Sequence, residues 1–327
     1  MANLQGVYTL SIWRTALAPE LATDLLGHHF QSPLLNASGV HCTRVEELEA
    51  LRASEAGSLI TKSATLQPRA GNPEPRYCAT ALGSINAMGL PNAGYRYYLD
   101  YARSYPHADK PLWLSVAGLT LDENIAIFKA IAHADLPVLV ELNLSCPNVP
   151  NKPQIAYDFS AMETIIAALS AVYRRPFGVK LPPYFDMAHF DAAAALLNRY
   201  SNIAFITCIN SIGNGLVIDL DKESVVIKPK DGFGGLGGDY VLPTALANVN
   251  AFYRRCPSKQ IIGCGGVRSG EHVMMHLLAG ASLVQVGTAL YAHGPSLFSR
   301  LNHALRTLLA QKGYATVAAV RGRLKTL

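Results

Sequence analysis

The sequence lacks several features that would assign a protein to a common class. No apolar run approaches the ~18 residues that a membrane-spanning helix needs, and the first residues lack the charged start and cleavage site of a secretory signal. The 28 basic residues are scattered among 23 acidic ones, so no basic stripe for nucleic acid is present. We therefore expect a cytoplasmic protein that binds neither a membrane nor nucleic acid.

The six cysteines are far apart and form no Cys-x-x-Cys pair, and no histidines stand near them at the spacing of a zinc site. This predicts reduced thiols, a reducing compartment and no metal. Residues 1–19 contain Ser, Thr, one Arg and no acid, which weakly suggests a transit peptide. With a single basic residue, a plain amino-terminal extension is the better interpretation, followed by one domain at 20–327.

Hydrophobic residues make up 50% of the chain and charged residues 16%, which is enough apolar surface for a large core. Short apolar runs alternate with helical patterns eight times. The predicted strands are 33–37, 58–62, 112–116, 138–144, 177–181, 203–209, 260–263 and 283–286. Strands that alternate with helices indicate parallel pairing, so we predict an α/β fold, a (β/α)8 TIM barrel. Two long insertions, 66–90 and the segment between 209 and 243, are predicted to be loops over its C-terminal face.

Polar residues stand at or just after the carboxyl end of nearly every predicted strand, where the catalytic groups of such barrels lie. They are Asn36-Ala37-Ser38-Gly39, Lys62-Ser63, Ser115, Asn143-Leu144-Ser145-Cys146, Lys180, Asn210-Ser211, Gly265-Gly266 and Gly287-Thr288. One such residue alone is usually a turn former or a surface charge. Together they predict a wide site with amides, two lysines and one thiol, but without paired carboxylates or a Ser-His-Asp set, which suits a flat heterocycle.

The glycines after the last two strands let backbone N–H groups approach a phosphate, although glycines there also serve plain turns. They indicate a phosphorylated cofactor. The run Gly234-Gly235-Leu236-Gly237-Gly238 is not a dinucleotide fingerprint, because it follows a long loop instead of joining a strand to a helix.

Several long motifs resemble the class 1A dihydroorotate dehydrogenases, which are cytosolic and linked to fumarate. These motifs are Glu141-Leu-Asn-Leu-Ser-Cys-Pro-Asn-Val-Pro150, the stretch 152–159, Gly83-Ser-Ile-Asn-Ala-Met-Gly-Leu-Pro-Asn92, Asn210-Ser-Ile-Gly-Asn-Gly215, the stretch 227–235 and Pro243-Thr-Ala-Leu-Ala-Asn248. The quinone-linked class differs by a serine where Cys146 stands, and the NAD-linked class needs an iron–sulfur subunit. The chain departs from the family pattern at Ser38, Ala87 and Asn151, which replace alanine, serine and glycine.

The resemblance implies FMN as cofactor. The residues that it assigns to FMN are Ala37, Ser38, Gly39, Lys62, Ser63, Asn143, Lys180, Ile209, Gly238, Cys264, Gly265, Gly266, Gly287 and Thr288. Those that it assigns to the substrate are Lys62, Asn86, Met88, Gly89, Leu90, Asn143, Asn148, Asn210 and Ser211.

The resemblance further implies the reaction and the catalytic residues. Cys146 would be the general base for dihydroorotate oxidation to orotate, and Lys180 would stabilise charge on the reduced flavin. Fumarate would enter the same site and leave as succinate. A homodimer without an iron–sulfur subunit is expected.

Three alternatives stay open at the level of sequence. An NAD-linked class 1 enzyme would need a partner subunit that carries an iron–sulfur cluster. A tRNA dihydrouridine synthase-like flavoprotein would need a basic RNA-binding surface and an added helical domain. A catalytically silent barrel would bind no flavin, and the presence of Cys146, Lys180 and the asparagines argues against it.

Overall fold

The computed structural model describes residues 18–145 and 154–327. Its strands are β1 (Thr23–Leu25), β2 (His28–Phe30), β3 (Leu34–Asn36), β4 (Leu59–Ile60), β5 (Tyr77–Thr80), β6 (Gly83–Asn86), β7 (Leu112–Val116), β8 (Leu139–Asn143), β9 (Phe177–Leu181), β10 (Ile203–Cys208), β11 (Ile212–Gly215), β12 (Ile218–Asp219), β13 (Ser224–Val225), β14 (Gly234–Gly238), β15 (Gln260–Cys264) and β16 (Leu283–Val286). Its α-helices are α1 (Val45–Ala53), α2 (Tyr95–Ser104), α3 (Leu121–Ala134), α4 (Phe159–Val172), α5 (Met187–Asn198), α6 (Leu242–Arg255), α7 (Gly270–Ala279), α8 (Thr288–His293), α9 (Leu297–Gln311) and α10 (Val317–Val320).

The central sheet has eight parallel strands in the order β3-β16-β15-β10-β9-β8-β7-β4. These are the eight strands that the apolar runs predict, and each begins and ends within two residues of its predicted bounds. A helix follows each strand, so the predicted (β/α)8 barrel is confirmed.

The seam between the first and last strands of the sheet is closed by a side chain. Asn36 at the end of β3 accepts a hydrogen bond from Ile60 N and donates one to Ile60 O, both at 2.9 Å. Its amide thereby replaces a backbone peptide between β3 and β4. Gly57 N also donates to Leu34 O at 2.8 Å across the same seam. The buried Asn36 is therefore part of the barrel wall.

The barrel interior is packed with large side chains towards the amino-terminal ends of the strands. Phe30, from the β1–β2 hairpin, and Trp113 have ring centroids 6.2 Å apart, and Trp113 and Phe205 lie edge to face at 4.9 Å. Gly178 makes room for this layer, because an added Cβ would lie 2.2 Å from the Phe205 ring. Side chains therefore fill the amino-terminal part of the barrel interior.

The helices surround the sheet because each has an apolar stripe at helical spacing. In α9, Leu297, Leu301, Leu305 and Leu309 recur every four residues and are all buried. No helix among the described residues combines the length and the apolar character that a bilayer crossing requires.

The two insertions contain strands, so the prediction that they are loops was wrong. β5, β6, β11 and β14 form an antiparallel sheet in the order β11-β14-β6-β5, and β12 pairs with β13. Glycine allows the close approach of β6 and β14, since a Cβ on Gly83 would lie 2.1 Å from Gly237 O. Residues of this small sheet line the same cavity as the barrel strand ends.

Candidate active site

A cavity of about 540 Å³ opens at the carboxyl ends of the barrel strands. Asn36, Ser115 and Ser145, which the strand-end pattern also placed in the site, do not line it, but every described residue that the resemblance assigns to the cofactor or the substrate does. These assigned residues are Ala37, Ser38, Gly39, Lys62, Ser63, Asn86, Met88, Gly89, Leu90, Asn143, Lys180, Ile209, Asn210, Ser211, Gly238, Cys264, Gly265, Gly266, Gly287 and Thr288. Cys146, Asn148 and Asn151 lie outside the described residues.

Amide and hydroxyl groups at the ends of β4, β8 and β10 form a connected network on one wall of the cavity. Asn143 Nδ2 donates to Ser63 Oγ at 3.2 Å, and Asn143 Oδ1 accepts from Ser145 Oγ at 2.9 Å. Asn210 Nδ2 donates to Ser145 Oγ at 3.1 Å. These bonds fix both asparagines by their neighbours, so a ligand meets groups that are already oriented.

Lys180 brings a buried positive charge to the floor of the cavity. Its Nζ donates to Gln285 Oε1 at 2.8 Å, and Gln285 Nε2 donates to Glu141 Oε2 at 2.8 Å. Thr207 Oγ1 donates to the same Glu141 oxygen at 2.7 Å. Side chains of β8, β9, β10 and β16 thus form one polar layer beneath the cavity.

The charge of Lys180 is maintained by this layer. Burial acts to lower the pKa of Lys180, but Cys264 and Glu141 outweigh it, so the pKa lies above its ordinary value. Burial also raises the pKa of Cys264. Glu141 Oε1 has no hydrogen-bond partner among the described residues.

A second lysine and the 86–90 segment form another part of the cavity wall. An added Cβ on Gly39 would lie 3.7 Å from Lys62 Nζ, so the ammonium stands beside the β3 loop. Asn86 Nδ2 donates to Gly235 O at 3.3 Å. Gly89 and Leu90 both have positive φ angles, 74° and 56°, which turn this segment sharply into the cavity wall.

The loops after β15 and β16 form the glycine-rich end of the cavity. Gly265 and Gly266 have φ angles of 126° and 76°, a region that favours glycine. Ser84 Oγ and Thr288 Oγ1 lie 3.5 Å apart, so the end of β16 meets β6 here. The close approach is possible because a Cβ on Gly237 would lie 2.7 Å from Thr288 Oγ1.

A family model described as "Dihydroorotate dehydrogenase" matches residues 20–309. The chain belongs to this family. It is 58% identical over 310 residues to the "Dihydroorotate dehydrogenase (fumarate)" of Trypanosoma cruzi, covering 94% of this chain and 99% of that protein. It is 52% identical over 311 residues to the "Dihydroorotate dehydrogenase A (fumarate)" of Lactococcus lactis subsp. cremoris, covering 94% of this chain and all of that protein.

The fold of this dehydrogenase family is also found among solved structures. The chain superimposes on the dihydroorotate dehydrogenase of Eimeria tenella, solved in complex with ferulenol, with a TM-score of 0.77. That likeness covers 93% of this chain and 88% of the other at 19% identity. At such identity it supports the barrel architecture alone.

Two departures from the family pattern lie in the described residues. Ser38, in place of alanine, is buried and accepts a hydrogen bond from Ser63 Oγ at 3.2 Å. Ser63 Oγ also lies 2.9 Å from Ser115 Oγ, so Ser38 extends the hydroxyl network by one member. Ala87 is fully buried and its carbonyl accepts from Asn72 Nδ2 at 2.7 Å.

Sequence reasoning gave no role to Glu141, Gln285 or Thr207. A signal for Glu141 was available, because side chains alternate along a strand and Glu141 stands two residues before Asn143, facing the same side of β8. Its partners could not be found this way, because Gln285 and Thr207 lie 144 and 66 residues away in sequence.

Proposed function

We propose that this chain is an FMN-dependent dihydroorotate dehydrogenase that oxidises (S)-dihydroorotate to orotate and reduces fumarate to succinate. The observation that carries the proposal is the meeting of the predicted amides, both lysines and the glycine-rich loops around one cavity. The relatives from Trypanosoma cruzi and Lactococcus lactis are both named as fumarate-linked enzymes.

The cavity suits FMN at both ends. Gly265, Gly266 and Gly287 offer backbone approach without side chains to obstruct a phosphate. The buried Lys180 ammonium offers a positive charge at the polar floor. When bound, FMN supplies the two-electron chemistry that no protein side chain provides.

Lys180 and Lys62 would act electrostatically. A buried ammonium stabilises negative charge that develops against it, and its effect is greater in a cavity than in water. Lys180 would serve the flavin in this way. Lys62, with the Met88–Leu90 backbone, would hold the carboxylate of the substrate.

The asparagines would select the pyrimidine ring. Asn86, Asn143, Asn210 and Ser211 offer donors and acceptors to the ring amides, and Asn148 would complete the set. A site built to pair such groups rejects rings that leave them unpaired.

Cys146 would be the base that removes the C5 proton of dihydroorotate. The role is supported by its chain neighbour Ser145, which hydrogen-bonds the cavity-lining Asn143 and Asn210. Two electrons and two protons leave dihydroorotate in this half of the reaction. Fumarate would then enter the same site and gain two electrons and two protons, one of the protons coming from Cys146.

The proposal also covers the oligomeric state, the domain organisation and the cellular compartment. We infer a homodimer without an iron–sulfur subunit, supported by the exposed Ile218, Leu220 and Val225 of the β12–β13 hairpin. A single catalytic domain at 20–327 agrees with the 20–309 family match. The unpaired cysteines in the described residues agree with a cytosolic setting.

The variant Cys146→Ala tests the assigned base. We expect it to retain bound FMN but to lose roughly 10²-fold or more of dihydroorotate oxidation near pH 7, since a positioned base is removed. Cys78→Ala is the matched control, because Cys78 is a free thiol on β5 outside the cavity lining. Near-normal turnover by Cys146→Ala in rapid-mixing measurements would exclude Cys146 as the base.

A further inference from the structure

Two histidines on α7 stand directly behind the glycine-rich end of the cavity. His272 Nδ1 hydrogen-bonds Gly266 O at 2.8 Å, and His276 Nε2 hydrogen-bonds Gly265 O at 3.0 Å. Residues four apart lie on the same helix face, so one stripe of α7 holds two consecutive carbonyls. No motif in the sequence draws attention to either histidine.

His276 is a fixed neutral donor. Burial lowers its pKa to about 4, although the hydrogen bond to Gly265 O opposes the shift. Since a carbonyl oxygen only accepts, the single N–H of this neutral ring is on Nε2. The ring has no space to move towards β15, because a Cβ on Gly263 would lie 2.4 Å from His276 Nδ1.

The two carbonyl contacts determine where the next N–H groups point. In a trans peptide the C=O and the following N–H point in opposite directions. The peptide bonds after Gly265 and Gly266 are trans. Because their carbonyls face α7, the N–H groups of Gly266 and Val267 face away from it, and both residues line the cavity.

These two N–H groups are available to a ligand. Neither has an acceptor among the described residues. The turn is also supported from the α6 side, since a Cβ on Gly266 would lie 2.4 Å from Leu242 Cβ. The histidines and α6 together fix a pair of outward-facing backbone donors, which is an arrangement that binds phosphate oxygens.

We propose that His272 and His276 are positioning residues that orient the Gly266 and Val267 N–H groups towards the phosphate of the bound flavin mononucleotide. This inference rests on the proposed function, because FMN is the phosphate monoester concerned. It extends the site beyond the residues that line the cavity to a helix behind it.

The test compares FMN with riboflavin, which has the same ring but no phosphate. The full-length chain is stripped of flavin, and both flavins are titrated by fluorescence into the unsubstituted protein and its variants. His272→Ala and His276→Leu should each weaken FMN binding by about tenfold, the effect of one lost orienting hydrogen bond. Their riboflavin affinity should stay unchanged. His276→Gln should retain FMN affinity, because its amide N–H can donate to Gly265 O.

His303→Ala on α9 is the control, because His303 is an exposed histidine. Circular dichroism checks that each variant is folded. His276 is fully buried, so His276→Leu could fail to fold. In that case the inference is tested by His272→Ala alone, because His272 is only half-buried. Parallel losses of FMN and riboflavin affinity in folded His272→Ala, or no loss of either, would overturn the inference.

Failure of the inference and failure of the proposed function give different results. Equal affinity of the unsubstituted protein for FMN and riboflavin would overturn the inference, since the phosphate would then contribute nothing. An unsubstituted protein that prefers FMN but is not reduced by dihydroorotate would contradict the proposed substrate and leave the phosphate comparison intact.

Discussion

At the scale of single residues, the site depends on buried polar side chains whose partners come from other strands. Lys180 would be costly to bury alone, and it is accommodated by Gln285 and Glu141. Lys180, which lines the cavity, is therefore supported by Gln285 and Glu141, which do not line it. Loss of a member of this polar layer should affect both folding and chemistry.

Glu141→Ala tests this layer. Removing the Glu141 carboxylate leaves the buried Lys180 ammonium without a compensating charge, so we expect the free energy of unfolding to fall by about 3 kcal/mol. Glu163→Ala is the control, because Glu163 pairs with Arg199 on the surface and should change stability by about 0–1 kcal/mol. Urea denaturation measures both, and equal small losses would contradict the role of Glu141.

The neutral His276 predicts a pH dependence of stability. Its pKa is lowered from 6.5 to about 4 by burial, so between these values the unfolded chain binds a proton that the native protein does not. Stability should therefore fall as the pH falls from 6.5 towards 4, by about 3 kcal/mol from this group.

His276→Gln removes the titrating group and isolates its contribution. The difference in unfolding free energy between the unsubstituted protein and this variant should change with pH only in that window. A difference that is constant from pH 7 to pH 4 would show that His276 does not behave as a buried neutral imidazole.

The site residues at strand ends could be predicted from the sequence, but the buried residues beneath them could not. Asn143, Lys180 and Asn210 are polar residues at or just after the carboxyl end of an apolar run, and in a barrel these ends all meet at one face. Gln285 lies inside a strand, where its side chain could equally have packed in the core. Its role depends on which strands become neighbours, and that is a property of the closed sheet.

At the scale of elements, the barrel is closed by Asn36 where β4 is too short to pair along β3. Asn36→Leu should leave the buried N–H and C=O of Ile60 without partners, at a cost of about 3 kcal/mol. The exposed Asn198, which donates to Arg255 O, provides the control Asn198→Ala with a smaller loss. Thermal and urea unfolding would measure both, and a loss for Asn36→Leu no greater than that of the control would contradict the closure role.

The barrel units were predictable because each strand is a continuous apolar run flanked by helical periodicity. The strands of the insertions lacked that signal. β14 is Gly-Gly-Leu-Gly-Gly, a composition with low strand propensity, and it forms a strand because β6 and β11 pair with it on either side. Tertiary pairing, which a local pattern does not contain, determines its conformation.

At the scale of the whole molecule, the β12–β13 hairpin exposes several large apolar side chains. Ile218 pairs with Val225, and Ile218 and Leu220 are 62% and 83% exposed. Such a group on a folded protein indicates an interaction surface, and a second copy of the chain is the occupant that we propose.

Leu220→Glu should weaken the proposed dimer by placing a charge in an apolar contact. Sedimentation should then show a shift from twice the chain mass of 35.2 kDa towards the single chain. Leu324→Glu, at another exposed apolar position, should leave the assembly unchanged. An unsubstituted protein that sediments as a single chain would contradict the dimer.

The central claim is that one cavity uses a flavin to oxidise dihydroorotate and then reduce fumarate. Its most direct test is an anaerobic absorbance titration of the purified protein with dihydroorotate, followed by fumarate. The account predicts that the flavin band near ~450 nm bleaches with dihydroorotate and returns with fumarate. Bleaching without return would contradict fumarate as the acceptor, and a bound flavin that does not bleach would contradict dihydroorotate as the substrate.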